Sequence, residues 1–282
     1  MCADLIFESD KAEAAHGYVI MESMGYPYYS GSNTIATVAA LLEYEIVPFS
    51  EGISKIALDS PGGIVSAEYK IENNLLQEVT VDGGATYVIE DKATLDVPGY
   101  GLIEYALVWS GAYYVLVDAN TVDIAINPAS IPAMKKAGFA ILEALKPEFS
   151  HEHQDFGKIE PPGFVHFTGG VEKIADRHYK AKGTTFGYPN TVYHCPTGTG
   201  TSAYMTLRHH RGEMEEDAVF ENTSAMGNTF TGRAYDKVQS NKHQALRTTI
   251  SAKPHVLATI TMHIDFTNPL MQTFKSLENI MR

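Results

Sequence analysis

Tyr193-His194-Cys195-Pro196-Thr197-Gly198-Thr199-Gly200-Thr201-Ser202-Ala203 is the stretch on which the reading of this chain turns. Pro196 ends an extended segment, and the small residues after it form a Gly-rich loop that opens a helix. That helix is expected over 200–212, with Ala203 and Leu207 one turn apart and Gly212 as its C-cap. The pattern hydroxyl-Gly-hydroxyl-x-Thr occurs a second time, as Ser30-Gly31-Ser32-Asn33-Thr34. It too opens a helix, expected over 33–46, where Ile35, Val38, Ala39 and Leu42 fall at i, i+3, i+4 and i+7. Extended segments with Tyr and Pro precede both, Tyr26-Pro27-Tyr28-Tyr29 and Tyr188-Pro189 onward. The duplication predicts two similar lobes, each a strand-rich shell around one central helix.

Outside these helices the chain reads mostly as strand. Residues 56–59, 64–69 and 77–81 are short β-branched or alternating runs separated by Pro61-Gly62-Gly63 and Glu72-Asn73-Asn74, an antiparallel meander. Further strands are expected at 103–108, 112–117, 229–234 and 256–264. One more helix, 131–145, sets Met134, Ile141, Leu142 and Leu145 on one face. Pro98-Gly99-Tyr100-Gly101 is the candidate linker, and Pro161-Pro162-Gly163 a second break. The fold class is therefore α/β (α+β). One lobe is expected from 1–97 with about 265–282 returning to it through Asp265 to Pro269, and the other from 98–264.

Composition narrows the function. The 282 residues carry a net charge of −13, with 23 Gly, 13 Pro and 44% apolar residues, an ordinary globular balance. No basic run is long enough for phosphate neutralisation, Lys135-Lys136 and Arg208 to Arg211 included, so no nucleic-acid partner is expected. No apolar run approaches the length of a membrane span, and Met1-Cys2-Ala3-Asp4-Leu5 lacks the features of a signal peptide. Cys2, placed in a mobile terminus, and Cys195 are read as free thiols, and the cytoplasm is the expected compartment. No metal is expected: His151-Glu152-His153 and His209-His210 lack ligand spacing, and the acidic run Glu213 to Asp217 reads as a solvated turn.

A Gly-rich loop entering a helix leaves backbone N–H groups unpaired at the positive end of the dipole, a natural anion site. Two such ends facing each other across a cleft would grip a small carboxylic acid from both sides. A side chain at each first turn would then point at the carbon beside the carboxylate. Ser30 and Thr197 can equally be plain N-caps.

The two stretches resemble the paired site motifs of the proline racemase family, which includes hydroxyproline epimerases and trans-3-hydroxyproline dehydratases. Ser30-Gly31-Ser32-Asn33-Thr34-Ile35-Ala36 is similar to the first motif, with Tyr29 where the family has Met. Pro196 to Ala203 is similar to the second. Trp109 to Ala119 and Thr229 to Arg233 match more weakly, in the family's order. The resemblance implies a cofactor-independent enzyme of the diaminopimelate-epimerase-like fold, with a small imino acid held between the lobes and no cofactor. It implies Ser30 and Thr197 on opposite faces of the substrate Cα. Gly31, Ser32, Gly198 and Thr199 would hold the carboxylate, with Asn33 and Tyr193 as further substrate-binding positions. The family is commonly dimeric, so a homodimer is the expected assembly.

The chain also departs from that pattern. Racemases carry Cys at both catalytic positions, because a thiol ionises far more readily than a hydroxyl. Family epimerases allow Ser first with Cys second, and dehydratases carry Cys first with Thr second. Here neither position is a thiol, and Tyr193 replaces an Asp that contacts the substrate amine. The family's opening Asp-x-His-Thr-x-Gly-Glu-Pro stretch has no counterpart near Met1-Cys2, so a shortened member is expected. A register shift of two would bring Cys195 to the catalytic position. The expected reaction is dehydration of trans-3-hydroxy-L-proline. Proline racemisation or 4-hydroxyproline 2-epimerisation comes next, and a non-catalytic imino-acid-binding relative third.

Overall fold

The computed structural model of the protein describes residues 2–22, 25–153, 157, 160–240, 242–261, 263, 265, 267 and 269. Its strands are β1 (Ala3–Phe7), β2 (His16–Met21), β3 (Gly52–Ser60), β4 (Gly63–Glu72), β5 (Leu75–Val97), β6 (Gly101–Trp109) and β7 (Tyr113–Asp118). After these come β8 (Phe164–Ala175), β9 (His178–Gly187), β10 (Thr191–Val192), β11 (Val219–Thr223), β12 (Thr229–Ser240) and β13 (His243–Ala252). The α-helices are α1 (Gly31–Glu43), α2 (Ile131–Leu145) and α3 (Gly198–His210).

All the strands join one sheet in the order β1-β2-β3-β4-β5-β13-β12-β11-β9-β8-β7-β6, with β10 on β9. Because β6 pairs back with β5, the path from β5 onward closes on itself. Helix α3 lies inside that closed shell, against β5, β6, β7, β8, β9, β12 and β13. Enclosure explains its composition: it is buried from Gly198 to Leu207 except at Thr199, so small residues are needed wherever strand backbone comes close.

Strands covered on both faces lose the alternation of a half-exposed sheet. All of Tyr113–Val117 in β7 is buried. Tyr114 and Leu116 face the core around α3, while Tyr113, Val115 and Val117 face the core under α2. Helix α2 packs outside the shell, with Met134, Ile141 and Leu142 buried at about 1.5–3 kcal/mol each. The first lobe has its own core, in which Ile35, Val38 and Leu42 of α1 meet Tyr18, Ile20, Leu58, Val79 and Val81. Phe230 of β12 and Ile250 of β13 complete it.

The three expected helices and the strands expected between 56 and 117 and at 229–234 are present, with four corrections. Pro98–Gly101 is not a linker but the turn of the β5–β6 hairpin, where Val97 pairs with Gly101. Strand β5 itself passes between cores, with Val79 and Val81 in the first and Tyr87, Leu95 and Val97 under α2. Among the described residues the last strand is 243–252, and 256–261 form no strand; Leu257 and Ile260 are 94% and 84% exposed. Cys2 is not at a frayed end, because β1 begins beside it and pairs along its length with β2. Residues 266, 268 and 270–282, most of the expected return to the first lobe, lie outside the described residues.

Candidate active site

Both Gly-rich loops lead into helix N-termini, and the fold brings these ends together. A Cβ built on Gly31 would lie 3.9 Å from the Gly198 Cα, and one built on Gly198 would lie 3.7 Å from the Gly31 Cα. Ser30 and Thr197 each stand one residue before this contact. Tyr29, ahead of Ser30, donates its hydroxyl to the Asp82 carbonyl at 2.6 Å and ties the first loop to β5.

The two N-cap positions differ in chemistry. Ser30 has extended backbone, and its side chain makes no cap bond. Its Oγ lies 3.2 Å from the Ser32 Oγ, and its carbonyl accepts from Thr34 N and Thr34 Oγ1. Thr197 is a true cap: its Oγ1 accepts from Gly200 N at 3.1 Å. Its φ of 63° is a left-handed value that disfavours a β-branched residue, so the loop is held there by its surroundings. The two hydroxyls do not bond each other. The capping reading therefore holds for Thr197 and fails for Ser30.

Behind Thr197 lies a buried polar network. Thr185 Oγ1 is 2.9 Å from Thr197 Oγ1 and 2.8 Å from His166 Nδ1. Asn222 Nδ2 approaches His166 Nε2 at 3.4 Å and donates to Thr201 Oγ1 at 3.1 Å. His166 is fully buried, and burial alone pushes its pKa down to about 3, so the ring is neutral. Thr199 Oγ1 bonds the Tyr114 hydroxyl at 2.5 Å, and burial pushes that phenol up to about 12.

A carboxylate joins the two motifs. Glu22 Oε1 accepts from Asn33 Nδ2 at 3.1 Å, and Glu22 Oε2 accepts from the Tyr193 hydroxyl at 3.4 Å. Burial first, and the Glu22 charge second, push the Tyr193 phenol up. Gly187 leaves room for that ring: a Cβ there would come within 2.8 Å of it. Glu22, His166, Thr185 and Asn222 belong to no motif and were missed in the sequence. Their only signal is three-dimensional, since Glu22 and Tyr193 are 171 residues apart.

Cys195 is half-buried against the first-lobe core, where burial pushes its thiol up; it does not take the place of Thr197. Among the described residues no three His, Cys, Asp or Glu side chains are grouped as a metal would require. His151 bonds Glu90 at 2.9 Å, and the His153 ring lies 4.2 Å from that of Trp109. No helix among the described residues is long and apolar enough to cross a membrane.

The fold that holds these two helix ends together is shared with solved structures. A crystal structure of a hydroxyproline epimerase from Agrobacterium vitis, with bound trans-4-OH-L-proline, superposes with a TM-score of 0.84 at 23% identity, covering 96% of this chain and 76% of that one. A protein of Chromohalobacter salexigens is 36% identical over 272 residues, 96% of this chain and 75% of its own length. The 4-hydroxyproline 2-epimerase of Streptosporangium roseum is 29% identical over 265 residues, 94% of this chain and 78% of that enzyme. The proline racemase model matches residues 1–275, so both site motifs and the shell around them fall within the match, and the chain belongs to the proline racemase family.

Proposed function

We propose that the chain removes the α-proton of a proline-like imino acid without a cofactor, and that it dehydrates trans-3-hydroxy-L-proline. One observation carries this reading: of the two hydroxyls, only Ser30 is free of a capping bond, whereas Thr197 is engaged by Gly200 and Thr185. Elimination needs a base on one face of Cα, while racemisation needs a proton donor on each. In the proposed step Ser30, directly or through a water it positions, takes the Cα proton. The electron pair forms the Cα–C3 double bond, the C3–O bond breaks, and the hydroxyl leaves as water with the proton that Ser30 or its water took from Cα. The enamine then tautomerises to a cyclic ketimine. The unpaired N–H groups at Gly31, Ser32, Gly198 and Thr199 would hold the substrate carboxylate. Glu22 would face the ring nitrogen with the charge that Tyr193 lacks.

A second reading, 2-epimerisation of a 4-hydroxyproline, is favoured by the likeness to the Streptosporangium roseum enzyme. Incubation with proline and both hydroxyprolines in heavy water separates the possibilities. Loss of 3-hydroxyproline to a ketimine supports dehydration. Deuterium at Cα with the substrate conserved supports epimerisation. Heat of binding with neither would make the protein a binding relative and overturn the proposal.

A further inference from the structure

Counting the hydrogens in the network behind Thr197 leaves little freedom in where each proton sits. Thr201 Oγ1 donates its one hydrogen to the Thr197 carbonyl at 2.8 Å, so toward Asn222 it accepts. That fixes the Asn222 amide with Nδ2 toward Thr201, and its second hydrogen faces His166 Nε2. A neutral imidazole that accepts at Nε2 carries its proton on Nδ1. Nδ1–H then donates to Thr185 Oγ1, whose own hydrogen goes to the Pro196 carbonyl at 3.1 Å. Thr185 has one lone pair left, and it faces Thr197 Oγ1 at 2.9 Å.

We propose that His166 is a positioning residue: through Thr185 it holds the Thr197 proton inward, so that Thr197 Oγ1 offers the site a lone pair and not a hydrogen. Of the two Thr197 lone pairs, Gly200 N–H takes one. The other is left for a donor on the bound imino acid. Thr197 is then an acceptor that orients the substrate and not an acid that delivers a proton to Cα.

The seat of the ring is built for this. A Cβ on Gly183 would come within 2.4 Å of His166 Nε2, and a Cβ on Gly200 within 2.7 Å of His166 Nδ1. Both ring nitrogens are thus walled by backbone that only glycine allows so close. No charged group contributes to the shift at His166.

The wiring stands on geometry; its catalytic consequence rests on the proposed α-proton chemistry, and two measurements keep the two apart. Long-range proton–nitrogen NMR on histidine-labelled full-length protein reads the tautomer without substrate. The expected result is a neutral Nδ1–H ring across about pH 5 to 8; an Nε2–H ring overturns the proposal whatever the activity. Kinetics on variants read the consequence. His166→Asn can place an amide donor where Nδ1–H stands, whereas His166→Gln places its amide toward Asn222. His166→Gln should lower kcat about tenfold or more with KM little changed, and His166→Asn should recover much of that loss. Thr185→Ser should likewise outperform Thr185→Val. Equal kcat for His166→Gln and native protein, or a loss His166→Asn does not rescue while it folds as native by circular dichroism, would overturn the positioning role. A native protein that turns over no imino acid but shows the Nδ1–H ring would refute only the proposed reaction.

Discussion

Gly200→Ala tests the buried network at its tightest point. The added Cβ would lie 2.4 Å from Thr197 Oγ1 and 2.7 Å from both His166 Nδ1 and Thr185 Oγ1. None of these atoms ends a flexible side chain, so the network must open. Overpacking of this kind costs about 1–3 kcal/mol. Losing the Gly200 cap bond and the Thr185–His166 bond adds about 1 kcal/mol each. The better helix propensity of Ala returns about 1 kcal/mol. The net expectation is a loss of about 2–4 kcal/mol, measured as the shift in urea unfolding of variant against native protein. Gly170→Ala is the control: its Cβ meets nothing within 4 Å, so stability should stay within about 1 kcal/mol of native. A Gly200→Ala protein as stable as native would refute the reasoning, because the seat of His166 would then not be rigid.

Three further expectations follow from the same geometry. Glu22→Gln should raise KM for the imino acid about tenfold while changing kcat less, since the charge proposed to face the ring nitrogen is lost but the proposed base is not; an unchanged KM in steady-state assays would remove Glu22 from the site. His166 has a folded pKa of about 3 against about 6.5 unfolded, so between these values only the unfolded chain takes up the proton. Stability from this site is whole above about pH 6.5 and is lost as pH falls toward 3, by up to about 1.4 kcal/mol per unit. Urea midpoints at about pH 7 and 5 should show a flatter dependence in His166→Asn, and parallel slopes would refute the burial of a neutral ring. Last, the Cys2 thiol is pushed up to about 12, by burial and then by Glu22 and Asp4, and burial also raises Cys195. Iodoacetamide at neutral pH should spare activity; inactivation mapped to Cys195 would show that a thiol, and not Ser30, is the base.

Local signals made much of the frame legible from sequence alone. Helix α2 has the bounds its apolar face predicted, and α1 and α3 begin two residues before their expected starts, because each Gly-hydroxyl loop belongs to the first turn. The β3–β4–β5 meander followed from its turns, Pro61-Gly62 and Asn73-Asn74, which are properties of a few adjacent residues. Strands β8 and β9 carry no such local signal; in β9 the run Gly183–Gly187 is buried throughout, so no alternation marks it. Only the tertiary structure decided that the second shell closes around α3, that Phe230 and Ile250 complete the first lobe's core, and that His166, Thr185 and Asn222 stand behind Thr197. Such contacts join residues tens of positions apart on different strands. Nothing in the spacing along the chain records them, because the pairing that brings them together is a property of the sheet.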